Sequence, residues 1–308
     1  LEKRLAEFAG KEDAIIFSTG FQVNLGVISC LLGREDYIIW DSLNHASIIE
    51  GIRLSPAKSL RYKHNDMAAL ERRLQQCDPE RIKLIVVDGV FSMEGDLCDL
   101  PEICRLAEQY KASVMVDEAH GFGVMGDHGR GVCNYFGLTD KVDLIMGTFS
   151  KSFAAIGGFI AGSKTTINYI RHHARSYIFS ASCTPAATAA VGKSLEIMLR
   201  EPERVEALQE KTRYCLEKFR KLGFEIGHTS TPIIPLFVRD NEKTFRVTAE
   251  LFHEGVFVNP VVAPAVAPED TLIRFSLMAT HTYEQLDTAI EKITAVFRRL
   301  DIPLHPQA

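Results

Sequence analysis

Apolar and polar positions alternate along the first half of the chain in two different periods. Short apolar runs predict buried strands at 13–17, 37–40, 82–88, 112–117 and 142–146. Between them, apolar residues three or four positions apart predict helices at 1–8, 20–32, 67–74 and 100–110. This succession of strands and helices predicts an α/β fold with a mainly parallel central sheet. In such sheets ligands bind beyond the carboxyl ends of the strands.

The second half predicts a smaller α/β region. After a glycine-lined strand at 157–162, a long helical region at 185–222 contains a charged joint at 201–204. Strands follow near 233–238, 256–259 and 272–276, with helices near 244–254 and 283–299. We therefore expect a large domain over 1–188 and a smaller domain over 189–308. The first helix has no capping residue before it, so we expect further N-terminal residues in a longer parent chain.

Composition narrows the class of protein. With 308 residues, 46% of them hydrophobic, the chain can bury a large core. The net charge of −5 gives no reason to expect a nucleic-acid partner. Seven scattered cysteines without a CxxC pair indicate neither a disulfide framework nor a metal site, which favours a reducing cytoplasm. No apolar run has spanning length, so we expect at most peripheral membrane contact.

One lysine stands where a ligand is expected. The predicted strand at 142–146 leads into Gly147, Thr148, Phe149, Ser150 and Lys151, which places an ammonium and two hydroxyls at the rim of the sheet. Such a lysine can form a Schiff base with pyridoxal phosphate, and the hydroxyls can hold its phosphate. A surface lysine in a small-residue loop is the alternative for this stretch alone.

Two further strand ends carry polar residues of matching chemistry. Asp117 and His120 follow the strand at 112–117, and a carboxylate there can pair with a pyridinium N–H and keep the ring electron-withdrawing. The alternative is a loop-capping aspartate and a histidine packed against glycines. The turn 18–21 can cradle an anion or simply cap a helix. His45 begins a predicted helix, where a lone histidine is more often structural.

Capping and loop signals accompany these residues. Asp41, Ser42 and Asn44 are the candidate caps of the helix that begins near His45. The glycine cluster at 121–131 lacks the context of a nucleotide loop, so we expect a folded loop near the site or a subunit contact.

Taken in order, the motifs resemble those of the α-oxoamine synthases, which are pyridoxal phosphate enzymes of fold type I. The resemblance covers essentially the whole chain and rests on motifs at 18–21, 44–47, 117–120, 147–151 and 274–282. The Thr-Phe-Ser-Lys-Ser form at 148–152, with the stretches 177–182 and 259–266, is similar to the soluble bacterial serine palmitoyltransferases of that family. A fold-type-I transferase with a large cofactor domain and a smaller C-terminal domain is therefore implied.

The resemblance also implies a role for each matching residue. Lys151 would bind the cofactor covalently and move protons at the substrate α-carbon. Asp117 would pair with the ring nitrogen, His120 with the ring hydroxyl, and His45 would stack on the ring. The residues implied to hold the phosphate are Gly20, Phe21, Thr148 and Ser150. No metal is implied.

Substrate recognition is implied at Arg274, whose planar fork would hold the amino-acid carboxylate with help from His45. A surface ion pair at a strand end is the alternative for this arginine. The implied reaction condenses L-serine with palmitoyl-CoA to 3-oxosphinganine, CoA and carbon dioxide, a step of sphingolipid biosynthesis, in a cytoplasmic homodimer.

The sequence also leaves other activities open. An 8-amino-7-oxononanoate synthase or a glycine C-acetyltransferase would use another amino acid or acyl group. A non-catalytic partner subunit would lack the lysine, whereas Lys151 is present. A general aminotransferase would share Lys151 and Asp117, but the contexts of His45 and of the stretch 279–282 speak against it.

Overall fold

In the computed structural model, residues 1–305 are described, and the chain forms two compact units. Unit 1 comprises Leu1–Phe91 and Leu97–Pro202, and unit 2 comprises Ser92–Asp96 and the chain from Glu203 onward. The predicted division after residue 188 falls inside a helix of unit 1, and 1–188 and 189–308 as functional domains stay a prediction.

The described residues form ten strands and twelve α-helices. The strands are β1 Asp13–Phe17, β2 Tyr37–Asp41, β3 Lys58–Tyr62, β4 Lys83–Asp88, β5 Ser113–Asp117, β6 Leu144–Thr148, β7 Gly158–Gly162, β8 Ile233–Phe237, β9 Asn259–Val261 and β10 Leu272–Ser276. The helices are α1 Glu2–Phe8, α2 Gly20–Leu31, α3 Ala46–Leu54, α4 Met67–Gln75, α5 Leu100–Tyr110, α6 Gly131–Tyr135, α7 Lys164–His173, α8 Arg175–Ile178, α9 Pro185–Arg200, α10 Glu203–Lys221, α11 Asn241–His253 and α12 Tyr283–Arg299.

Unit 1 is built on a seven-stranded sheet of order β1-β7-β6-β5-β4-β2-β3. The neighbours from β6 to β3 all pair in parallel, and β7 alone among these seven strands runs antiparallel, to both β1 and β6. The prediction of a mainly parallel sheet is confirmed. The carboxyl ends of β4, β5 and β6 therefore lie side by side at one edge.

The two faces of this sheet are covered differently. One face packs against aliphatic residues of α2, α3 and α7, such as Val27, Ile48 and Ile167, all fully buried. Ile160 belongs to that cluster, so Phe159 points to the other face, because successive strand residues alternate. There Phe159 stacks on Phe122 at 5.6 Å between ring centroids.

Unit 2 contains the antiparallel sheet β8-β10-β9 and helices α10, α11 and α12. Phe219 packs edge-on against Phe275, at 5.4 Å between ring centroids. The separate segment 92–96 is tied in by Thr229 and Thr231, whose hydroxyls donate to the carbonyl of Gly95 at 2.9 and 2.7 Å. No helix of residues 1–305 is both long and apolar enough to cross a membrane.

The apolar pattern did not predict four elements, which are β3, α6, α7 and α8. The edge strand β3 carries Lys58 and Arg61, and only Tyr62 is fully buried, so its apolar pattern is weak. Charged residues on an edge strand discourage pairing with other chains. The long helical region is two helices, α9 and α10, separated at the predicted charged joint by Glu201 and Pro202.

The prediction of a strand at 256–259 is wrong by three residues. Val256 donates its backbone N–H to Leu251 at 2.8 Å, closing the end of α11, and Phe257 is 76% exposed. The ladder begins only at Asn259, which lies opposite Arg274. The apolar residues 256–258 therefore follow the end of α11 and have the pattern of a strand, but they form no ladder with β10.

The stretch 279–282 has a structural use. Thr282 caps α12 by accepting from the backbone N–H of Gln285 at 3.2 Å, and the Gln285 side chain accepts from the N–H of Thr282 in return. His281 accepts through Nδ1 from the N–H of Met278 at 3.1 Å. This motif thus fixes the start of a helix in unit 2.

Candidate active site

A cradle of small residues lies where α2 begins. Thr19 caps the helix by accepting from the N–H of Gln22 at 3.1 Å, which leaves the first N–H groups of α2 pointing outward. A side-chain carbon at Gly20 would stand only 2.5 Å from Thr148 Oγ1. The Thr148 hydroxyl lies 3.0 Å from that of Ser150. Helix N–H groups and two hydroxyls thus converge, as a phosphate requires.

Lys151 lies three residues beyond β6, in an exposed position on an ordered turn. Its carbonyl accepts from the N–H of Ala154 at 2.9 Å, and Ala154 has the positive φ of 53° that this turn requires. Ser152 donates to the carbonyl of Phe122 at 2.8 Å. The backbone on both sides of the exposed lysine is therefore fixed.

Asp117 ends β5 with only 2% of its surface exposed. One carboxylate oxygen, Oδ1, accepts from the N–H of Ala119 at 2.9 Å. The other, Oδ2, accepts from Asn24 Nδ2 at 2.8 Å. Both of these donors are neutral, so neither compensates the negative charge of the carboxylate, and a cationic ring can pair with it.

His45 forms the N-cap of α3, so the prediction that Asp41, Ser42 or Asn44 would cap this helix is wrong. Its Nδ1 accepts from the N–H of Ser47 at 3.2 Å. Loss of hydration lowers the pKa of His45, and Lys151 acts in the same direction, whereas Asp117 opposes them.

Instead of capping α3, Asp41 binds backbone N–H groups in the turns that follow β2 and β3. Its Oδ1 accepts from the N–H of Leu43 at 2.9 Å and its Oδ2 from the N–H of Asn65 at 2.8 Å. Its carboxylate therefore orders the turns after β2 and β3 rather than the start of α3.

A second buried carboxylate, Asp88, lies beside Asp117 at the ends of paired strands. Burial raises the pKa of Asp88 well above its usual range, and the charge of Asp117 adds to this effect. Its Oδ2 accepts from the backbone N–H of His45 at 2.6 Å. Asp88 thus holds the backbone of the residue implied to stack on the cofactor ring.

The glycine cluster folds around Glu118. Its two carboxylate oxygens accept from the N–H groups of Val132 at 2.9 Å and Cys133 at 2.7 Å. A side-chain carbon at Gly121 would stand 1.8 Å from Glu118 Oε2, and one at Gly131 only 2.6 Å from Cδ. Burial raises the pKa of Glu118. The cluster is therefore a folded loop next to Asp117.

The structure brings most of the predicted site residues together in unit 1. Gly20, Thr148 and Ser150 form the cradle, and Phe21 is exposed in the first turn of the same helix. His120 lies in the turn directly after β5.

Arg274 lies in unit 2 on β10. Its Nε donates to the carbonyl of Ser92 at 2.7 Å and its Nη1 to Ser276 Oγ at 2.6 Å. Burial lowers its pKa. These bonds orient the guanidinium within its own unit, and they involve no carboxylate of the described chain.

Sequence reasoning assigned no function to Asn24 or Asp88. Asn24 is fully buried among the aliphatic residues of α2, and a polar residue on such an apolar stripe is the signal that could have found it. Asp88 ends a completely buried strand next to the strand of Asp117, which is a comparable signal. Among residues 1–305, no group of three or more histidine, cysteine or acidic side chains is arranged to hold a metal ion.

The family model "Aminotransferase class I and II" matches residues 1–293 of this chain. The chain belongs to that family. Its similarity to a serine palmitoyltransferase of Bacteroides thetaiotaomicron is 64% identity over 302 residues, which is 98% of the chain and 77% of the relative. An 8-amino-7-oxononanoate synthase of Bacillus pumilus is 46% identical over the same shares. Both relatives are α-oxoamine synthases by name, and the predicted resemblance is confirmed.

Solved structures of this family agree with the fold. The structure of a serine palmitoyltransferase from S. paucimobilis with a bound PLP-myriocin aldimine superposes with a TM-score of 0.95 at 35% identity. The match covers 98% of this chain and 76% of that one. The prediction of a fold-type-I transferase is therefore confirmed.

Proposed function

We propose that this chain is a pyridoxal phosphate-dependent acyltransferase that condenses L-serine with palmitoyl-CoA, giving 3-oxosphinganine, CoA and carbon dioxide. The observation that carries the proposal is the placement of three groups at adjacent strand ends: an exposed Lys151 just beyond β6, buried Asp117 at the end of β5 and buried Asp88 at the end of β4. The 64% identity to a relative named serine palmitoyltransferase supports the choice among α-oxoamine synthases.

The residues present fit pyridoxal phosphate. Gly20 lets the start of α2 lie directly against Thr148, because a side-chain carbon at Gly20 would stand 2.5 Å from Thr148 Oγ1. The first N–H groups of α2 and the hydroxyls of Thr148 and Ser150 are therefore the donors available to a phosphate. Asp117 supplies a buried negative charge for the pyridinium, and Lys151 supplies the amine. When bound, the cofactor withdraws electrons from the substrate α-carbon, so that bonds to that carbon can be broken and formed.

The side chains perform the remaining tasks. Lys151 Nζ takes and returns the proton at the α-carbon of serine, since it is the amine expected at the cofactor. Asp117 keeps the ring nitrogen protonated through its charge. His120 donates or accepts at the ring hydroxyl. His45 covers one ring face and excludes water from it.

Arg274 binds the carboxylate of serine in this proposal. A guanidinium forms two parallel bonds to a carboxylate, which fixes the angle of the α-carbon bonds as well as the position of the substrate. The bonds from Nε to Ser92 and from Nη1 to Ser276 limit the rotation of the guanidinium. Less side-chain freedom is then lost when the substrate binds.

The experiment is a competition among substrates with mass analysis of the products. The purified chain receives serine, alanine and glycine together with palmitoyl-CoA and pimeloyl-CoA, and Lys151→Ala serves as the inactive control. We expect 3-oxosphinganine as the main amino ketone. Formation of 8-amino-7-oxononanoate from alanine and pimeloyl-CoA as the main product would instead assign the sister activity of the Bacillus pumilus relative.

We further infer a cytoplasmic homodimer with at most peripheral membrane contact. Exposed apolar side chains in unit 1, such as Phe179 at 78% and Ile156 at 70%, support association with a second copy. Seven free cysteines support a reducing compartment. Light scattering of the purified chain tests the dimer, and fractionation of cells tests the location. A monomer at micromolar concentration, or recovery in the periplasm, would contradict these inferences.

A further inference from the structure

A buried line of hydrogen bonds joins the two ring-binding residues of unit 1. Asn24 Nδ2 donates one hydrogen to Asp117 Oδ2 at 2.8 Å and the other to Ser47 Oγ at 2.9 Å. Ser47 Oγ lies 2.7 Å from His45 Nδ1. Asn24 and Ser47 have 0% and 2% of their surface exposed, so water does not compete for these bonds.

The chemistry of the end groups fixes the direction of every bond in this line. The carboxylate of Asp117 only accepts, so the amide of Asn24 must present its nitrogen there. The same nitrogen donates to Ser47, which leaves the Ser47 hydrogen to point at His45. The backbone N–H of Ser47 also points at His45 Nδ1, at 3.2 Å, and this donor cannot be reversed. Nδ1 therefore carries a lone pair, and the ring proton lies on Nε2.

We propose that Asn24 and Ser47 are positioning residues that hold neutral His45 with its proton on Nε2, so that Nε2–H is the donor of the ring. The proposal rests on the proposed function for the roles of His45 and Asp117. It extends that function by naming the residues that couple them. A ring fixed in this way offers a donor, rather than an acceptor, to a carboxylate or carbonyl oxygen of the substrate.

The packing around Asn24 suits a positioning role better than a stabilising one. A side-chain carbon at Gly51 would stand 2.7 Å from the backbone oxygen of Asn24, so α3 lies directly against α2 at this point. This close approach brings Ser47 within reach. Meanwhile Asn24 Oδ1 is buried without a partner among residues 1–305. An unpaired buried acceptor lowers stability, so an apolar residue would serve the core better.

The titratable groups that face His45 come from three elements. Asp117 at the end of β5 favours the protonated ring, and Lys151 after β6 disfavours it. Asp88 at the end of β4 binds the backbone N–H of His45. None of these groups chooses between the two ring nitrogens, whereas the donors of Ser47 do. The tautomer therefore depends on the line from Asn24 to Ser47.

The test measures His45 in the apoprotein, so it does not depend on turnover. Histidines are labelled with ¹⁵N, and the signals of His45 are identified by their loss in His45→Gln. We expect the Nε2–H form in the neutral state. In Ser47→Ala the pKa of His45 should rise by about 0.5 to 1 unit, a roughly three- to tenfold change in the protonation constant, because one hydrogen bond to the neutral ring is lost.

Asn24→Leu should give a similar rise, since the Ser47 hydroxyl is then free to turn. The double variant should add little to either single change, because both interrupt one line. Ser29→Ala is the matched control: it lies on α2, and its hydroxyl binds the carbonyl of Leu25 in its own helix. Urea unfolding of each variant identifies any that do not fold, and Ser47→Thr should restore the wild-type titration.

Two results would overturn the inference. One is a proton on Nδ1 of neutral His45 in the wild-type apoprotein. The other is a titration of Ser47→Ala equal to that of Ser29→Ala. In the enzyme loaded with pyridoxal phosphate, the pH profile of serine binding should shift as the apoprotein titration does. If serine and palmitoyl-CoA give no product while the tautomer is as stated, the proposed function fails and the positioning line stands.

Discussion

The proposed phosphate cradle of Gly20, Thr148 and Ser150 yields the sharpest quantitative prediction, through Gly20→Ala. The added carbon would stand 2.5 Å from Thr148 Oγ1 and 2.9 Å from Thr148 Cβ, both shorter than van der Waals contact. Thr148 is branched at Cβ and 6% exposed on β6, so its side chain has little freedom to turn away. Either α2 or Thr148 must move, and both form the cradle.

The magnitude follows from the cost of overfilling a packed site, which is about 1–3 kcal/mol. In the variant, α2 or Thr148 has moved, and it must return to its original position when the phosphate binds. If the return costs about 1–3 kcal/mol, the dissociation constant for pyridoxal phosphate rises roughly 5- to 150-fold, since 1.4 kcal/mol is a factor of ten. Alanine also favours a helix over glycine by up to about 1 kcal/mol. The apoprotein should therefore lose less stability than the cofactor complex loses affinity.

The assay is a titration of apoprotein with pyridoxal phosphate, followed by visible absorbance, together with urea unfolding. Gly192→Ala on α9 is the matched control, because its added carbon would meet only Arg4 Nη1 at 3.5 Å and Leu1 Cδ1 at 4.0 Å. We expect it to bind the cofactor normally and to unfold at equal or higher urea. Equal cofactor affinity in the two variants would refute the location of the cradle.

Four further predictions address other parts of the site. Lys151→Ala should lose turnover and the yellow colour of the lysine-bound cofactor while keeping its urea midpoint, since Lys151 is exposed; normal turnover would refute its role. Arg274→Ala should raise the serine requirement by about 1.5–3 kcal/mol, measured by serine titration of the visible spectrum, and an unchanged titration would remove Arg274 from the site. Glu118→Gln should lower the free energy of unfolding by about 1–3 kcal/mol, because its NH₂ would face a backbone N–H; an unchanged urea midpoint would contradict this. The lowered pKa of His45 means that the unfolded chain binds more protons below pH 6.5, so stability is lost as pH falls through that value. His45→Gln should reduce this loss between pH 7 and pH 5 in urea unfolding, and an identical slope would contradict it.

The sequence predicted the elements that have strong apolar periodicity. The bounds of β1, α5 and α12 agree with their apolar patterns, because a buried strand or a helix stripe needs apolar residues at fixed intervals. Polar residues at the ends of β5 and β6 pointed to the site for a related reason. Parallel strands bring their carboxyl ends to one edge, and that edge binds ligands.

Tertiary structure alone decided the features that depend on residues distant in sequence. The cap of α3 is His45, whereas Asp41, Ser42 and Asn44 accept from backbone N–H groups elsewhere in the fold. Gly121 and Gly131 in the loop after β5 are needed because Glu118 fills the space beside them.

Likewise, Asn24 and Asp117 are far apart in the chain, and only the packing of α2 on the sheet brings them to 2.8 Å. A sequence pattern reports which face of an element is apolar, but it carries no distance between elements. Hydrogen bonds between buried side chains depend on that distance to within a few tenths of an ångström. For this reason the sequence predicted the fold, while the line from Asp117 through Asn24 and Ser47 to His45 emerged only from the packed structure.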